Sequence, residues 1–74
     1  MAVSYKKLFK MLIDRDMMKK TLCEKAKVSP GTISRMAKNE PVSMDVVARI
    51  CVALGCKIDD IVEIIPDEED VKHE

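Results

Sequence analysis

Ten of the first 39 residues are basic: Lys6, Lys7, Lys10, Arg15, Lys19, Lys20, Lys25, Lys27, Arg35 and Lys38. Only Asp14, Asp16 and Glu24 oppose them, which leaves that half at +7. Residues 40–74 reverse the balance with three basic groups and ten acids, so the 74-residue chain is neutral overall. Cations gathered in one half suit a polyanion, while the acidic half stays off it. The competing explanation is ordinary solvated charge that happens to be segregated.

Other chemistries find little material. His73 is the only histidine, which leaves no partner set for general acid–base work, and an enzyme is not expected. Cys23, Cys51 and Cys56 contain no C-x-x-C pair. Buried thiols in a reducing cytosol therefore account for them better than a metal site does, and neither metal nor cofactor is expected. One Tyr, one Phe and no Trp exclude a sheet that stacks bases on aromatic rings. No apolar run approaches the roughly 18 residues needed to span a bilayer. The start, MAVSYKK, lacks the order of a signal peptide, so a cytoplasmic location is expected.

The elements that position these charges are helical almost throughout. Tyr5, Leu8, Phe9 and Leu12 follow the i, i+3, i+4, i+7 stripe of a helix running to Asp14, with Ser4 as its expected N-cap. Leu22, Cys23 and Ala26 mark a second helix from about Met18 to Ala26. A third runs from Pro30 to about Ala37, with Ser29 as cap, Pro30 at the first helical position, and Ile33 and Met36 facing inward. Asn39 suits a left-handed closing residue. Ser43 caps a fourth helix, Met44 to Leu54, with Val47, Ile50, Cys51 and Leu54 spaced for burial and Gly55 as its stop. A helical turn at Ile58–Ile61 leads to Val62–Ile65, β-branched enough for a short strand, which Pro66 ends. Pairing of that strand with Ala2–Val3–Ser4 within the chain competes with its use as a surface for a second copy. Residues 67–74, DEEDVKHE, read as a solvated acidic tail, so one domain over 1–66 is expected.

The second and third helices, joined by Lys27–Val28–Ser29, have the dimensions of a helix-turn-helix over about residues 18–37. Leu22, Ala26, Val28, Ile33 and Met36 fall at its apolar positions, and Cys23 supplies a small residue where the helices cross. The stretch TLCEKAKVSPGTISRM, followed by NEPVSMDVVARICVALGCKIDDI, resembles the Cro/cI-repressor type of helix-turn-helix, the xenobiotic-response-element family. That resemblance implies an all-α, compact five-helix, lambda-repressor-like domain, with room for a short terminal β-strand pair. It also implies double-stranded DNA as partner and a role as a bacterial or phage transcription regulator, typically a repressor.

Carried onto these residues, the resemblance makes Pro30–Ala37 the recognition helix and turns Ser29, Pro30, Gly31, Ser34, Arg35 and Lys38 toward DNA. Physical logic adds roles. Ser29 and the first amides of the helix suit a phosphate, and Lys19 suits a phosphate of the flanking strand. Lys38 and Asn39 suit a further phosphate. Arg35 is the one long side chain fitted to a guanine edge, with a plain phosphate contact as the alternative. Thr32 or Ser34 supplies a hydroxyl contact or touches a thymine methyl.

Three positions depart from the family pattern. Lys27 stands at the turn where Gly is usual, at a cost of about 1–2 kcal/mol if its φ is positive, or with a phosphate in reach. Met18 replaces a Ser or Thr cap. Pro30 and Gly31 occupy places where long polar base readers are common. A unit this small is expected to pair as a homodimer, at least on DNA, through Val62, Ile64, Ile65, Val52 or Ile58. The alternative class is a protein-interaction module, such as an antitoxin that masks a partner.

Overall fold

The four amphipathic stripes converge on one core in the computed structural model, which describes residues 2–66. In order the elements are β1 (Ala2–Ser4), α1 (Lys6–Asp14), α2 (Lys19–Ala26), α3 (Pro30–Ala37), α4 (Met44–Leu54), a 3-10 turn (Ile58–Asp60) and β2 (Glu63–Ile65). Leu8 and Leu12 of α1 meet Leu22, Cys23 and Ala26 of α2, Ile33 and Met36 of α3, and Val47, Ile50 and Leu54 of α4. Tyr5 and Ile61 belong to the same cluster. Phe9, on the same α1 stripe, is only partly buried at its margin. α2 packs against both α3 and α4, so the helix-turn-helix rests on the fourth helix as its platform.

All four helices end in the same way. A residue in the left-handed region follows each one: Asp16 (φ 52°), Lys27 (57°), Asn39 (60°) and Gly55 (65°). The next amide then reaches back five residues to a carbonyl of the last turn. Met17 donates to Leu12 at 2.8 Å, Val28 to Cys23 at 3.1 Å, Glu40 to Arg35 at 3.0 Å and Cys56 to Cys51 at 3.0 Å. This six-to-one closure satisfies a carbonyl the helix leaves orphaned, and it sets the side chains of the two bonded residues against each other. Gly55 and Asn39 are legible in the sequence as such stops.

Three expectations are corrected. Among the described residues there are four α-helices and not five, because Ile58–Asp60 forms only a 3-10 turn. The segment between Gly55 and β2 is too short to repay α-helical nucleation, and Asp60 Oδ2 accepts the Lys57 amide at 2.9 Å to tie the turn off locally. Ser4 does not cap α1, since Tyr5 occupies the cap position without a side-chain bond. Pairing of β1 with β2, in antiparallel register Ala2↔Ile65, Val3↔Ile64 and Ser4↔Glu63, draws Ser4 into the sheet and buries it. Val62 precedes the strand instead of opening it. The strand pair within one chain is thus present. The tail DEEDVKHE (67–74) lies outside the described residues.

Candidate nucleic-acid interface

Ser29 organises the start of α3. Its Oγ accepts the Thr32 amide at 3.2 Å and lies 2.8 Å from Thr32 Oγ1, so both hydroxyls are spent on one cap. Pro30 fills the first helical position, where no amide hydrogen is required. The Gly31 amide, one position further, lies too early in α3 for an intrahelical acceptor. A Cβ placed on Gly31 would meet only Ser29 Oγ, at 3.9 Å, so nothing inside the fold requires glycine there. What glycine leaves is open backbone at the positive end of the helix dipole, the feature that accepts a phosphate oxygen.

The start of α2 is similar but uncapped. Met18 is extended and gives no side-chain bond, in keeping with its residue type. Lys19, at the first helical position, holds its ammonium 5.2 Å above the Phe9 ring, a cation–π contact that fixes where the charge sits. Between α2 and α3 runs an open groove of about 790 Å³ with an apolar floor that includes Cys23, Val28 and Ile33. Lys19, Lys20 and Lys38 stand along it with Pro30 and Ser34. Four of the ten sequence-predicted residues (Lys19, Pro30, Ser34 and Lys38) therefore border one concave surface, joined at its end by the Ser29–Thr32 cap and Gly31.

Three predicted residues lie elsewhere. Lys27 sits at the αL end of α2, beside Lys25 and Arg49 on a separate concavity against α4. Arg35 is turned along the α3–α4 connection, with Nη2 3.5 Å from the Pro41 carbonyl and Nε 3.8 Å from Glu40 Oε1. Both side chains of that pair are about half exposed, at 59% and 49%, so the ion pair is worth at most about 1 kcal/mol and leaves the guanidinium free to swing. Asn39 is committed to the frame, because its Oδ1 accepts the Tyr5 amide at 3.0 Å and joins the end of α3 to the start of α1.

Two arginines that the sequence did not single out brace this frame. Arg49 donates to the Lys27 carbonyl at 3.2 Å and pairs with Asp45 one turn away on α4, at 3.1 Å. Arg15 donates to the Leu54 carbonyl at 2.8 Å and closes α4 from the side. Neither was recoverable from spacing, because both acceptors are backbone carbonyls brought near only by packing. The i,i+4 spacing of Asp45 and Arg49 was the one local signal.

Two short helices packed together, a left-handed turn between them and an open, cation-flanked start to the second are the parts of a helix-turn-helix. The family model of the Cro/C1-type HTH DNA-binding domain matches residues 7–67, and the chain belongs to that family. Among solved structures, the chain is similar to the crystal structure of the transcriptional regulator VanUg (form II). The two share 48% sequence identity at a TM-score of 0.82, over 89% of this chain and 88% of that one. No curated protein matches the sequence. No helix among the described residues is long and apolar enough to cross a membrane.

Proposed function

We propose that the chain regulates transcription as a sequence-specific repressor, with the N-terminal end of α3 in the major groove of double-stranded DNA. The observation that carries this reading is the Ser29-capped start of α3, with its open Gly31 backbone beside the groove bordered by Lys19 and Lys38. In this arrangement the Gly31 amide, Lys19 and Lys38 hold phosphates and fix the register of α3, and Asn39 keeps its remaining amide group for the same strand. Arg35 leaves Glu40 and reaches a guanine edge, where a bidentate contact discriminates by about 1–3 kcal/mol. Ser34 and the methyl of Thr32 complete the reading surface. The domain spans residues 1–66, with 67–74 as an appendage.

Two copies bind one site. Although β2 pairs with β1 within the chain, its Ile64 and Ile65 stay exposed and, with Ile58, form the apolar surface for that pairing, and a two-fold dimer asks for an inverted repeat about one helical turn across. With four to six phosphates neutralised per subunit, log K falls against log salt with a slope of roughly −4 to −5 per subunit. The test is selection of bound duplexes from a random pool at moderate salt. Enrichment of one inverted repeat establishes the dimeric specific regulator and supplies its operator. Recovery of duplexes without a shared motif refutes specific reading and moves the search to a protein partner, as for an antitoxin.

A further inference from the structure

The closure of α4 places two cysteines in the paired positions of its six-to-one bond. Cys51 supplies the carbonyl and Cys56 the amide, 3.0 Å apart, on either side of the left-handed Gly55. In the same motif at the end of α3, the paired residues Arg35 and Glu40 bring their charged groups to 3.8 Å, which shows how the closure juxtaposes side chains. A chain of N–Cα, N···O and O···Cα spans limits the Cα separation of Cys51 and Cys56 to about 6.9 Å, and bending at both atoms brings it inside the roughly 4.4–6.8 Å that disulfides bridge. Both residues are half-buried and free, whereas Cys23 is buried in the core.

We infer that Cys51 and Cys56 are a modification site: a dithiol that hydrogen peroxide converts to an intramolecular disulfide. One thiolate attacks hydrogen peroxide, breaking the O–O bond and giving a sulfenic acid and hydroxide, which takes up the proton the thiol released and leaves as water. The second thiol then attacks that sulfur, forming the S–S bond as the S–O bond breaks and a second water leaves. Two thiols are oxidised, one hydrogen peroxide is reduced by two electrons, and the protons of the thiols leave in the waters. The product ties the last turn of α4 to the segment that enters the 3-10 turn. Burial first, then the neighbouring Cys51, raise the Cys56 thiol above its ordinary range, with Arg15 opposing. Closure should therefore be slow at neutral pH and quicken as pH rises.

The test treats the full chain with hydrogen peroxide, traps remaining thiols by alkylation and maps the tryptic peptides. Residues 50–57 form one peptide carrying both cysteines, and residues 21–25 carry Cys23. The expected product is a monomer about 2 Da lighter, with one alkylatable thiol in place of three, an unlabelled 50–57 peptide and a labelled 21–25 peptide. Cys23→Ser keeps that product, while Cys51→Ser and Cys56→Ser each lose it. Full labelling of 50–57 after treatment overturns the inference. So does a link to Cys23, a link between two chains, or oxygen adducts without the 2 Da loss.

Discussion

Lys27 holds a conformation that its side chain opposes, and replacing it should stabilise the protein. Its φ of 57° places it in the left-handed region, with no special side-chain bond among the described residues to compensate. Relief of that strain is worth about 1–2 kcal/mol. Glycine in its place costs about 0.5–1 kcal/mol through the greater freedom of the unfolded chain. Lys27→Gly is therefore expected to gain roughly 0.5–1 kcal/mol net, or about 2–8 °C in Tm for a domain this size. The bonds that define the turn use only the backbone of Lys27 and survive: the Lys27 and Val28 amides to the Cys23 carbonyl, and the Arg49 guanidinium to the Lys27 carbonyl. Lys27→Ala is the control, since it removes the charge and keeps the strain. Urea and thermal unfolding of the three proteins should rank Gly above Lys, with Ala no more stable than Lys. A Gly variant less stable than the parent would refute the strain argument. The same proteins locate the ammonium relative to DNA: a salt slope shallower by about 0.9 in both variants places it on a phosphate, and an unchanged slope removes it from the interface.

Ser29→Ala removes the α3 cap and should cost about 1 kcal/mol of stability, measured by denaturant unfolding. Gly31→Ala should behave oppositely on the two axes, gaining about 0.4–1 kcal/mol in folding while weakening DNA binding. Unchanged affinity there would mean that no phosphate approaches this backbone. Asn39→Ala should lose about 2 kcal/mol, from left-handed strain plus the lost bond to the Tyr5 amide, whereas Asn39→Gly should lose only about the hydrogen-bond part, roughly 1 kcal/mol. Equal losses in the two variants would contradict that division. Arg35→Ala should weaken binding mainly at one base pair when operators are altered singly; a uniform loss reassigns it to a phosphate.

The helices and their caps were legible because they are local. The i, i+3, i+4 stripes picked out Leu8, Leu12, Leu22, Ile33, Met36, Val47, Ile50 and Leu54, all buried in one core. Ser29 and Ser43 cap α3 and α4 through their own third amides, as their residue types imply. The contact between Cys51 and Cys56 was equally local, since a left-handed Gly55 already implies that its flanking residues meet, but the spacing rules for metals do not look for it.

Long-range partners settled what spacing could not. Ser4 looks like a helix cap in isolation and becomes a strand residue because Glu63, 59 positions away, pairs with it. Asn39 reads as a helix stop and a phosphate ligand, and only packing shows that its Oδ1 also accepts the Tyr5 amide. Arg15 and Arg49 serve backbone carbonyls 39 and 22 residues distant. Which segments are helical, where they start and stop, and the gathering of cations in the first half all follow from the order of residues. They depend on side-chain chemistry and on hydrogen bonds that close within a few residues. Packing alone selects which of those cations border one surface with the start of α3, and which polar groups are committed to the frame. A helix carries no record of the neighbour it will meet.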